Sequence, residues 1–168
     1  MKGLKCHMKC LKLIIACCTL VVCACGDATL KRGYGETPEE LGRAVVSALN
    51  AKSAENLFHL RVDKDQYIDE LWPEFPSKHN SFTAEFAWNN LNKRNLKGIP
   101  KWVQNYGGKN YDFVRIRFTR PTRDYKTFKL RGGTVLTVKT PEGKERDLHI
   151  LGSVVEKERY YRLLSYDD

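Results

Sequence analysis

Cysteine is absent from everything that follows residue 25. All six (Cys6, Cys10, Cys17, Cys18, Cys23, Cys25) fall in the first twenty-five positions and the remaining 143 residues hold none. No disulfide framework can therefore staple the folded part, and no cysteine nucleophile serves it. The spacings also lack the paired CxxC geometry of a zinc site. Acidic residues are missing from positions 1–24, which carry Lys2, Lys5, Lys9 and Lys12. The chain's charge of +9 thus overstates the domain: without that segment 25 basic residues face 20 acidic ones, or +5. No GxSxG, P-loop or HExxH pattern occurs, so nothing signals a nucleophile elbow, a phosphate cradle or a zinc protease. What is present is 42% hydrophobic, 11% aromatic and 29% charged residues in 168, with a mean hydropathy of −0.50. That composition describes one globular domain and excludes a disordered tail, a collagen-like chain and a coiled-coil rod.

The lysines of 1–12 form a positive n-region. The apolar run 13–24 covers about twelve residues, the length of a signal-peptide h-region and short of the roughly 20 that a transmembrane helix needs. At its end stand Val22, Cys23, Ala24, Cys25 and Gly26. This resembles the lipobox of bacterial lipoproteins: an aliphatic residue three before the cleavage point, a small one just before it and cysteine just after. The resemblance implies cleavage after Ala24, a diacylglyceryl thioether on Cys25 and acylation of the new amino terminus. Ile14, Ile15, Ala16 and Cys17 match the motif locally, with almost no apolar run before them, and Met8 offers a second start. The other reading is an ordinary secretory signal with incidental cysteines. By that family's sorting rule, Gly26 and Asp27 after the cysteine imply the outer membrane over the inner. The division expected is a signal peptide at 1–24, a lipidated flexible tether at 25–36 and a single domain at 37–168.

Within the domain, Thr37, Pro38 and Glu40 make a capping box for a helix over 37–50, with Leu41, Val45, Ala48 and Leu49 on one face. Ser53 opens a shorter helix. Asp63 and Gln66 repeat the capping pattern for a segment that stops near Trp72, because Pro73 and Pro76 follow. Ser81 starts another helix, and Gly98, Ile99 and Pro100 predict its end. After Gly107 and Gly108 the period changes to two. Val114, Ile116 and Phe118 alternate with Arg115 and Arg117, and strands are expected over 113–119, 125–139 (interrupted at Gly132 and Gly133), 147–155 and 159–166. Helices first and antiparallel strands after give an α+β fold: N-terminal helices packed on a curved four-stranded antiparallel sheet.

This order, with the opening helix 37–50, its continuation through Leu57 and the strand pair 152–164, resembles the cone-shaped cystatin-like fold of nuclear transport factor two and SnoaL-like proteins. The glycine pair would let one strand curl around the opening helix. The superfamily holds isomerases, dehydratases, epoxide hydrolases and non-catalytic binding modules, so the fold leaves function open. No motif here carries its catalytic carboxylates residue by residue.

Three site ideas remain. Trp72 and Trp88, with His149 on a strand beside Leu148 and Ile150, are candidates for an apolar ligand pocket, and His149 would share a face with Leu151 and Val155. The bland alternative is that the aromatics are core. His59 and His79 have no metal-type or catalytic spacing. Arg115, Arg117 and Lys129, within a band that includes Arg120, Arg123, Lys126 and Arg131, are candidates for contact with an anionic surface; the alternative is a solvated, edge-protecting face. The expectation is an envelope lipoprotein held to the membrane by lipid on Cys25. Its non-catalytic binding domain would take a small apolar ligand or an envelope protein, with no metal, no cofactor and no nucleic acid. The competing class is an isomerase- or dehydratase-like enzyme using the cone cavity and His149.

Overall fold

Helix α1 (Pro38–Asn50) begins where a threonine hydroxyl can stand in for a missing turn. In the computed structural model, which describes residues 35–76, 82–158 and 160–166, Thr37 Oγ1 accepts the Glu40 backbone N–H at 3.2 Å. The Glu40 carboxylate in turn accepts the Glu36 N–H at 2.6 Å. The buried stripe of α1 runs through Leu41, Val45 and Leu49. Gly42 belongs to it because the Phe113 ring lies against the helix there, 2.4 Å from where a Cβ would stand. The chain reverses at Lys52, which takes the left-handed conformation (φ 53°), and Ser53 caps α2 (Ala54–His59). Asp63 and Gln66 exchange the expected reciprocal bonds, at 2.8 and 3.4 Å. The segment they open is a wide π-helical turn, Gln66–Leu71, followed by the 3-10 turn Trp72–Glu74.

Helix α3 (Ala84–Tyr106) differs from expectation at both ends. Ser81 lies outside the described residues, and the cap is Thr83, whose hydroxyl accepts the Phe86 N–H at 3.1 Å. The stop expected at Gly98 to Pro100 does not occur, and the helix continues to Tyr106 with Pro100 inside it. Gly98, Ile99 and Trp102 extend the buried stripe of Trp88, Leu91 and Asn95. Pro100 is exposed, so the cost is confined to one missing hydrogen bond and the crowding of the Leu96 carbonyl. Continued burial outweighs the local stop signal.

Seven strands follow: β1 (Asp112–Phe118), β2 (Arg123–Asp124), β3 (Lys129–Arg131), β4 (Thr134–Lys139), β5 (Glu145–Leu148), β6 (Val154–Lys157) and β7 (Tyr160–Leu163). They pair antiparallel in two sheets, ordered β1-β4-β5 and β2-β3-β6-β7, where the sequence pattern predicts a single four-stranded one. The stretch 125–139 breaks at Gly132 and Gly133 into β3 and β4, and the expected strand 147–155 becomes β5 and β6. Gly133 has φ 63°, and a Cβ on it would sit 2.3 Å from Thr119 Oγ1, so the break requires glycine. A bulge between Phe113 and Arg115 also alters the alternation of β1. Ile116 and Phe118 turn inward as expected, but Phe113 and not Val114 joins them against the core.

Two apolar clusters hold these layers together. The larger joins α1, Ile99 and Trp102 of α3, and Ile116, Leu136, Val138 and Leu148 of the three-stranded sheet. The smaller sets Tyr67, Leu71 and Phe75 with Trp88 and Leu91 of α3 against Phe128, Val155 and Leu164. Side-chain amides clamp distant segments. Asn50 bonds both the N–H (2.9 Å) and the carbonyl (2.8 Å) of Tyr111. Asn95, fully buried in α3, accepts the Tyr166 N–H at 3.0 Å and donates to the Leu164 carbonyl. Gly35, inside the expected tether, is buried, and its carbonyl accepts the Tyr161 N–H at 2.9 Å.

Candidate functional site

Tyr67, brought in by the π-helical turn, is the residue that unites two of the sequence candidates. Its ring centroid lies 6.2 Å from Trp72 and 5.4 Å from Trp88, with Phe75 at 6.1 Å. Trp88 is 7% exposed and belongs to the core cluster, whereas Trp72 is half-buried at its edge. Trp72, Tyr67, Phe75, Phe86 and Leu91 line one side of an open groove of about 410 Å³. Trp88 borders a second cavity of about 420 Å³, with Arg61, Asp63 and Arg162. Arg162 is buried there, bonded to the Gln66 side-chain carbonyl and 3.5 Å from Asp63. That set is a structural clamp between the Asp63 cap and β7.

His149 is not with them. It is exposed on the connection between β5 and β6, flanked by buried Leu148 and Ile150. Strand pairing of β5 ends at Leu148, and Ile150 and Leu151 are buried in succession, so the two-residue alternation that would turn His149 inward with Leu151 and Val155 is lost. His59 is exposed beside Glu55, and His79 lies outside the described residues, as does Cys25. Among the described residues no group of three or more His, Cys, Asp or Glu side chains could hold a metal ion.

The strand members Arg115, Arg117, Lys129 and Arg131 of the basic band are divided between the two sheets and face acids. Arg115 and Arg117 stand on β1, and their charges reach past β4 to β5, at 3.3 Å to Glu145 and 2.6 Å to Asp147. Asp147 also accepts the Thr137 hydroxyl at 2.6 Å. The Arg117 hydrogen bonds, with help from Thr137, hold the Asp147 carboxyl down to about 2 and raise the Arg117 pKa. Arg131 bonds Glu156 at 2.5 Å. Lys129, on β3 in the other sheet, sits opposite Asp124 on one neighbour and Glu156 on the other. Of the cations chosen from sequence, Arg115 and Arg117 thus have acidic partners on β5, and Lys129 has acids at its register positions.

Among the described residues, a run of positive charge without an ion-pair partner lies on α3. Lys93, Arg94 and Lys97 are exposed and make no ion pair among the described residues, and Lys101 lies over the Trp102 ring at 5.1 Å. The helix has one acid, Glu85, which faces Lys64 at 3.4 Å. Beside these cations are the largest exposed apolar side chains of the molecule's described part: Phe82 at 53%, Phe86 at 52% and Leu96 at 52%. Phe82 and Phe86 stack with centroids 5.3 Å apart and rings 13° from parallel. This face was legible in principle from the helical spacing of Lys93, Lys97 and Lys101. A helix expected to end at Gly98 concealed it.

No known protein family, curated protein or solved structure matches the chain.

Proposed function

We propose that the protein is a lipid-anchored lipoprotein of the bacterial envelope whose α+β domain is a non-catalytic interaction module working through its outer surface. The observation that carries this reading is the packing of the interior. The space between α1, α3 and the three-stranded sheet is occupied by the chain's own Leu41, Val45, Leu49, Ile99, Leu136 and Val138, all essentially inaccessible. A domain packed in this way leaves recognition to its surface. The anchor rests on the lysine-rich start, the apolar run 13–24 and the lipobox-like ending at Cys25. An acyl anchor contributes roughly 0.8 kcal/mol per buried methylene, and two or three chains make attachment effectively permanent.

We read the two sheets as halves of one four-stranded meander, bent at 119–122, at Gly132 and Gly133, and at 149–153. Support comes from backbone bonds that continue across the bends: Thr119 N–H to the Gly133 carbonyl at 3.0 Å, and Leu164 N–H to the Ser153 carbonyl at 2.8 Å. Such a curved sheet around α1 is similar to the cone of the cystatin-like superfamily, here filled. Mass spectrometry of protein extracted from bacterial membranes tests the anchor. The expected amino-terminal peptide starts at diacylglyceryl-modified Cys25, with nothing from 1–24. An unmodified Cys25 would overturn the reading.

A further inference from the structure

We infer that the outer face of α3 is a docking surface for anionic phospholipid. The proposal rests on the anchored reading above and adds which face the domain turns to the membrane. On α3 the buried stripe passes through Trp88, Leu91, Asn95, Gly98, Ile99 and Trp102. The opposite side carries Phe86, Asn90, Lys93, Lys97, Lys101 and Gln104, recurring at steps of three and four, all exposed. From Phe86 to Lys101 this stripe is about 22 Å long at the helical rise of 1.5 Å per residue. It contains no acid, since Glu85 lies to the side and faces Lys64.

Two independent features converge on one occupant. The first is uncompensated charge. Arg115, Arg117 and Arg131 have carboxylates on other strands of their sheets, but Lys93, Arg94 and Lys97 have none among the described residues. The second is the exposed, stacked pair Phe82 and Phe86 at one end of the cationic stripe, with Leu96 on its flank. A row of ammonium groups beside half-exposed aromatic rings suits a bilayer surface, where phosphates meet the cations and rings enter the headgroup–acyl boundary. A phosphate backbone would match the charge and leave the phenyl rings in water, and an acidic protein would need an apolar patch set beside its carboxylates, a pairing that any anionic bilayer surface supplies. The tether makes weak docking sufficient. Ten peptide steps lead from Cys25 to Gly35, so the domain stays within about 35 Å of the lipid. Each lysine at an anionic surface strengthens binding about five-fold, and within a Debye length of about 10 Å at 0.1 M salt.

The test uses the full chain in vesicles of phosphatidylcholine alone or with one quarter phosphatidylglycerol, treated with a membrane-impermeant acetylating reagent. Expected is slower acetylation of Lys93, Lys97 and Lys101 in the anionic vesicles only, reversed by high salt, with Lys139 and Lys144 of the β4–β5 hairpin unchanged. Lys93→Gln with Lys97→Gln should lower the docked-to-undocked ratio about 30-fold and expose Lys101. Its circular dichroism should be unaltered, because both side chains are exposed and make no ion pair among the described residues. Uniform reactivity in both vesicles, equal protection in both, or protection at Lys126 and Lys129 instead would each overturn the proposal. Retention on phosphatidylcholine vesicles through a salt wash reads the anchor separately. If the wash removes the chain, the anchored reading fails, and the same lysine pattern with free chain and phosphatidylglycerol vesicles decides the docking alone.

Discussion

Asp147 shows how a single carboxylate changes the meaning of a basic stretch. It receives both terminal nitrogens of Arg117, at 2.6 and 3.3 Å, and the Thr137 hydroxyl. Its pKa is held below the ordinary 3.8, at about 2, so its stabilising contribution is present above pH 4 and is lost as the pH falls through 2. Urea midpoints measured between pH 5 and pH 2 should therefore fall more steeply in the native chain than in Asp147→Asn. Tyr166 works at the other end of the scale. Its hydroxyl, fully buried, donates to the Leu57 carbonyl at 2.8 Å, and burial raises its pKa. A raised pKa stabilises the fold below the ordinary value near 10, and that contribution is lost at higher pH. Tyr166→Phe should cost about 1 kcal/mol at neutral pH, the net worth of the bond, and should flatten the decline in urea midpoint between pH 9 and pH 11. Neither partnership is visible in the linear chain: Arg117 and Asp147 are thirty residues apart, and Leu57 and Tyr166 more than a hundred.

Helix starts are the elements most legible in the sequence, because a cap is a contact over three residues. Thr37, Ser53 and the Asp63–Gln66 pair make the bonds that their spacing predicts. Helix ends are decided elsewhere. Gly98 and Pro100 form a sound local stop, yet Ile99 and Trp102 have apolar partners to reach, and α3 goes on. Pro100 should therefore be a standing cost in an element held by packing. Pro100→Ala restores a backbone donor to the Leu96 carbonyl on an exposed position, and the expected effect is stabilisation of up to about 3 kcal/mol, the interior proline penalty, read as a higher urea midpoint. An unchanged midpoint would mean that the helix bends at this point without loss. The candidate site depends on this element. With α3 ending near residue 98, Lys101 falls in a loop and the cationic stripe has no length. With α3 running to Tyr106, four cations share one exposed side.

At the scale of the whole molecule, the filled interior matters most. Leu136 lies at the centre of the three-stranded sheet, opposite Ile116 on one strand and Leu148 on the other, with no exposure. Leu136→Ala should cost 2–5 kcal/mol, the usual range for a buried leucine, seen as a lower denaturant midpoint with the same secondary structure. Bare retention of stability would show that the site is not packed as described. Some properties were determined by the sequence alone: the α+β order, the helix caps, the glycine break at 132–133, and the placing of every cysteine within residues 1–25. Each depends on neighbours a few positions away or on composition. The tertiary structure decided the division into two sheets, the burial of Trp88, the exposure of His149 and the pairing of the sheet arginines. These depend on strand register and on which faces meet, and a shift of one residue in register exchanges the buried and exposed sides of a strand. Net charge could be counted from the sequence, but only strand register shows that Arg115, Arg117 and Arg131 meet acids on other strands, while Lys93, Arg94 and Lys97 of α3 meet none among the described residues.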